Sequence, residues 1–149
     1  MTLGTTRNGD KPVKIKSLLA GILILLISSN AFAQTDFSAF WKKFKSAVAA
    51  GDKAAVAGMT KFPLSMPYLQ KKVKNKADFL RRYGEIFDGE ANAAQCFARA
   101  KPKKDSAREY KVYCPFKATP NDWENTPILF YFELTSTDWK FAGLDNVNE

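Results

Sequence analysis

The apolar residues of this chain keep one period in its first half and another in its last third. Phe37, Phe40, Trp41, Phe44 and Val48 recur at helical spacing, with Lys42, Lys43 and Lys45 outside the stripe. Beyond Ala94 the alternation is of period two, and in "PILFYFELTSTDWKFAGL" Thr135 to Asp138 turn one strand into the next. Helices first and strands later predict an α+β fold, with N-terminal helices packed on one face of an antiparallel sheet.

Helix ends are marked by their chemistry. Asp36 caps the first helix and Gly51 ends it, and a shorter helix starts at Asp52 and turns Val56 and Met59 inward. "FPLSMPY", flanked by Pro63 and Pro67, reads as an edge strand or a crossing loop. In "NKADFLRRYGEIFDGE", Asn75 caps a third helix whose apolar face is Phe79, Leu80, Tyr83, Ile86 and Phe87, with Arg81 and Arg82 pointing away and Gly89 stopping it.

Ahead of these elements, Lys11, Lys14 and Lys16 precede an apolar run from Leu18 to Ile27, then Ser28-Ser29-Asn30 and Ala31-Phe32-Ala33. This is the layout of a secretory signal peptide over residues 1–33, cut after Ala33. The apolar run falls short of the about 20 residues that a spanning helix needs. Residues 34–149 then form a single domain, periplasmic or secreted, with no cysteine near the cut to carry a lipid. Four of the 23 basic and one of the 15 acidic residues leave with the leader, so the domain keeps a net charge of +5. Lys71, Lys72, Lys74 and Lys76 cluster in one segment and Arg99 to Arg108 in another; both read as solvated loops, with an anionic envelope surface or an acidic protein as the alternative partner. Export leaves nucleic acid no part in this reading.

An oxidising compartment makes one disulfide the simplest state of Cys96 and Cys114. Residue 105 lies midway between them, inside the turn-like "PKKDSA", so a hairpin would place the two cysteines opposite each other. On that reading Cys96, Ala98 and Ala100 share a face of one strand, and Tyr110, Val112, Cys114 and Phe116 a face of the next. The chain has no histidine and no CxxC pair, which disfavours both a metal site and a thioredoxin-like role. Asn121, Asp122, Glu124 and Asn125 match no calcium loop and read as turn residues.

The helix, Gly-Asp, helix run "FWKKFKSAVAAGDKAAVAGMTKFPL", the later "ADFLRRYGEIF" and the closing "WKFAGLDN" resemble the nuclear-transport-factor-2-like superfamily, which shares a cone-shaped fold with ketosteroid isomerase. The resemblance implies a curved sheet around a long helix, with an apolar cavity between them that serves catalysis in some members and binding or association in others. Enzymes of the superfamily place an acid or base in that cavity. The candidates in this chain are Asp88, Tyr68, Tyr83 and Glu133. Asp88 sits at a helix end as a turn residue, and Glu133 alternates onto the face opposite Ile128, Phe130, Phe132 and Leu134, outside the cavity. With no phosphate-binding loop, dinucleotide glycine motif or GxSxG elbow, no cofactor is expected.

The sequence therefore reads as an exported, non-catalytic binding or interaction domain with an apolar cavity, for a small apolar ligand or an envelope protein. The alternative is an isomerase or dehydratase acting in the cavity. Phe97, Tyr113, Leu129 and Tyr131 share the outer sheet face in this register and predict a homodimer, unless Arg99, Lys111 and Lys117 shield them.

Overall fold

The structure, a computed structural model, describes residues 1, 2, 4 and 36–148. The chain divides into two compact units, Met1–Ala31 and Phe32–Glu149; every element below belongs to the second. The leader and its cut lie outside the described residues.

Helix α1 spans Phe37–Ala49, and the Asp36 carboxylate accepts from the Ser38 amide at 3.1 Å. Such a cap contributes about 1 kcal/mol. The chain leaves α1 through Gly51, whose φ of 65° is the left-handed conformation that glycine adopts without a steric penalty. Asp52 then caps α2, Lys53–Gly58, by accepting from Ala55 at 3.0 Å. Strand β1 (Thr60–Met66), a 3₁₀ turn (Pro67–Leu69) and β2 (Lys71–Val73) follow. Helices α3 (Lys76–Arg81), α4 (Tyr83–Asp88) and α5 (Ala93–Arg99) precede the last four strands, β3 (Lys103–Ser106), β4 (Glu109–Cys114), β5 (Ile128–Leu134) and β6 (Trp139–Asn146).

The α+β class expected from the sequence is what forms. One six-stranded sheet has the order β2-β1-β6-β5-β4-β3. It is mixed rather than wholly antiparallel, because β1 runs parallel to β6. Both edge strands are short and carry exposed lysines, a composition that discourages edge-to-edge pairing with another chain. The inner face, with Val112, Phe130, Phe132, Phe141 and Leu144 all at most 1% exposed, meets the aromatic stripe of α1. Phe44 is fully buried, its ring centroid 5.1 Å from Phe132, 5.6 Å from Phe141 and 6.1 Å from Phe97.

Several expectations are corrected. Residues 93–99 form a helix rather than a strand: Asn92 caps it by accepting from Gln95 at 3.0 Å, and Ala93, Cys96 and Phe97 fall on one helical face. The hairpin therefore runs from β3 to β4 and turns at Ala107 and Arg108, not around the midpoint of the cysteines. Phe97, 1% exposed, belongs to the core and leaves the proposed dimer face. The third helix breaks at Arg82 into α3 and α4, where the Arg82 amide donates to both Asp78 and Phe79 carbonyls in a tightened last turn. Arg81 points outward, but Arg82 is mostly buried, its side chain 18% exposed. Finally, β1 lies inside the sheet between β2 and β6; Pro63, which has no N–H to donate, falls where its register against β6 is irregular.

Candidate functional site

The sequence-derived acid–base candidates do not converge. Glu133 projects from the outer face of β5, and its carboxylate is paired with the Lys61 ammonium at 2.6 Å. Asp88, at the end of α4, is more than half exposed and pairs with Lys117 at 2.9 Å; the same ammonium also donates to the Asp88 carbonyl. Tyr68 is half-buried in the 3₁₀ turn. Tyr68 packs against the edge of the core, and Tyr83 is buried in it.

Tyr83 opens α4, is 8% exposed, and packs against Phe87 at 4.7 Å and Phe79 at 5.9 Å, with the Lys53 ammonium 5.5 Å from its ring centroid. Its hydroxyl is buried and has no hydrogen-bond partner among the described residues. Burial, and secondarily the Asp52 charge, push its pKa above the usual phenol value. The group is thus held protonated, which suits a ring filling space and not a general base.

Where a cavity is implied, between α1 and the sheet, the structure places rings. Phe37, Phe40, Trp41 and Phe44 of α1 all lie within 6 Å of Phe132, centroid to centroid. No protein family and no curated protein matches the chain in sequence. Solved structures do match. One of them is an NTF-2-like protein of unknown function from Shewanella oneidensis MR-1, superposing with a TM-score of 0.42 and 15% identity over 74% of this chain and 94% of that one.

The disulfide forms between α5 and β4. Cys96 and Cys114 are bonded with Cα atoms 5.7 Å apart, and both are at most 4% exposed. The pairing expected from the sequence is right and its setting is not: the bond joins a helix to the end of a strand, not two strands of a hairpin.

The four lysines of the basic segment are all exposed, Lys71 and Lys72 on edge strand β2, Lys74 in the link to α3 and Lys76 at its start. Elsewhere Lys61, Arg81, Arg82, Lys111 and Lys117 are ion-paired. On the outer sheet face Tyr113, Leu129 and Asp145 stand in one cross-strand row, and Lys111, Tyr131 and Gly143 in the next. Leu129 is 4% exposed, while Tyr113 and Tyr131 are half-buried. The Lys111 ammonium lies 5.7 Å from the Tyr131 ring, and Tyr131 donates to Asp145 at 3.4 Å.

Clefts lie at the margins of the sheet. One, lined by Lys61, Arg108, Glu109, Glu133 and Thr135, is polar, and its cations already have partners: Lys61 has Glu133, and Arg108 donates to the Leu134 carbonyl at 2.7 Å. A second, between α1 and the start of β6, is floored by aromatic rings. Phe40 and Trp139, which line it, were legible only as apolar residues, because nothing local brings two positions so far apart in sequence together.

Proposed function

We propose that the chain is an exported, non-catalytic binding or interaction domain that meets its partner at its surface. The observation that supports this most is the fate of the interior: aromatic rings fill the space in which a superfamily enzyme would work, and Asp88 and Glu133 are ion-paired outside it. Each of these carboxylates has a lysine ammonium within 3 Å. The buried disulfide is compatible with an oxidising compartment.

Export is tested by the intact mass of the chain recovered outside the cytoplasm. The expected mass is that of residues 34–149 less two hydrogens. An intact leader on that material, or free thiols at both Cys96 and Cys114, would contradict the reading.

Self-association through the outer sheet face is a second reading, favoured by the half-buried pair Tyr113 and Tyr131 flanking Leu129. Tyrosine is enriched at interfaces. Light scattering at micromolar concentration should report a dimer, converted to a folded monomer by Tyr131→Lys. A monomer mass for the unmodified protein rules this out.

A further inference from the structure

The groove between α1 and β6, of about 190 Å³, is lined by Phe40, Lys43, Met59, Asp138, Trp139 and Lys140. Its floor is fixed by the core beneath it. Phe40 and Trp139 are 7% and 4% exposed, and both pack against Phe37, with centroids 5.9 and 5.0 Å away. The Met59 carbonyl accepts from the Phe141 amide at 2.9 Å, which ties that wall to the sheet. Lys140 is held in place by donating to the Gly58 carbonyl at 2.9 Å. Lys43 is exposed on the outer side of α1 and makes no ion pair with another described residue. The lining thus sets two ammonium groups against one carboxylate around an apolar, preformed floor.

Small-molecule sites are concave and mostly apolar, with a few polar groups that fix orientation. We propose that this groove binds a small amphipathic monoanion, an aromatic or short aliphatic carboxylate. Its apolar body lies on Phe40, Met59 and Trp139, and its carboxylate faces Lys43 and Lys140. A cation would meet both lysines, so the rim favours a negatively charged head group. The polar cleft beside Glu133 offers no comparable unpaired cation, since Lys61 is already neutralised. The inference rests on the reading of the chain as a binding domain and names one class of ligand for it.

The test uses the full chain titrated with benzoate, and in parallel with benzyl alcohol as its neutral counterpart, while the indole N–H resonances of Trp41, Trp123 and Trp139 are followed by NMR. Benzoate should shift the Trp139 resonance and leave that of Trp123 in place. Lys43→Gln, a substitution at an exposed helix position, should weaken benzoate by about two- to five-fold, the range of an exposed ion pair, and leave benzyl alcohol unchanged. A Trp139 resonance that saturating benzoate does not move overturns the proposal. So does equal binding of benzoate and benzyl alcohol together with no effect of Lys43→Gln. Export and processing are read separately by mass, so a negative result at the groove is told apart from a failure of export.

Discussion

Cys96 on α5 and Cys114 at the last position of β4 are bonded in the buried layer between helix and sheet, 4% and 0% exposed. The bond closes a span of 18 residues that contains the whole β3–β4 hairpin. Reduction, or the paired change Cys96→Ala with Cys114→Ala, should therefore lower the unfolding free energy by about 3 kcal/mol. The midpoint of denaturant unfolding with and without reductant measures this. An unchanged midpoint would mean that the bond constrains nothing in the unfolded chain.

Tyr83 gives the opposite kind of prediction. Its hydroxyl is buried without a partner among the described residues, so Tyr83→Phe removes a desolvated polar atom and keeps the ring contacts with Phe79 and Phe87. Stability should hold or rise by up to about 1 kcal/mol, read from the same unfolding curves. A clear loss would show that the hydroxyl is engaged and would return Tyr83 to the list of catalytic candidates.

Arg82 joins the two halves of the broken third helix to acid behaviour. Its guanidinium makes a two-pronged contact with Glu85, both at 2.8 Å, and that hydrogen bonding holds the Glu85 carboxyl below its ordinary value of 4.5. A depressed folded-state pKa contributes stability that is present above the unfolded value and is lost as pH falls through the folded one. Arg82→Gln should thus cost about 1 kcal/mol at neutral pH, a figure already reduced for the solvent around Glu85. The difference from the unmodified protein should shrink as pH falls below 4.5. A pH-independent difference would assign the effect of Arg82 to packing alone.

Lys71, Lys72, Lys74 and Lys76 line one edge of the sheet and its approach to α3 without ion pairs among the described residues. Replacing all four by Gln should leave folding intact and change stability within about 0.5 kcal/mol per site. If the segment contacts an anionic envelope partner, the same variant loses cosedimentation with that fraction, and the loss is mimicked by salt, because exposed charges are screened beyond about 10 Å at 0.1 M.

Much of this molecule was legible where hydrophobic period and local chemistry agree. The α1 stripe, the Asp36 and Asn75 caps, a second helix beginning at Asp52, and the β5–β6 hairpin closing at Thr135 to Asp138 all form as the sequence predicts. Residues 93–99 misled because Cys96, Ala98 and Ala100 alternate by chance, while the stronger signal, Asn92 followed by Ala93, Cys96 and Phe97 at helical spacing, points to a capped helix. The parallel pairing of β1 with β6 and the meeting of Phe40 with Trp139 had no local signature, since each is settled by packing between distant segments.

The claim that the interior is closed is tested most directly by xenon pressurisation of crystals of the protein. The account predicts no xenon site among Phe44, Phe97, Phe132 and Phe141, whose ring centroids pack about Phe44 at 5.1 to 6.1 Å. Phe44→Ala should open one there and cost about 3–5 kcal/mol, since apolar cavities stay dry and take up xenon. A xenon site among those four rings in the unmodified protein, between α1 and the sheet, would contradict the account and restore the enclosed apolar cavity.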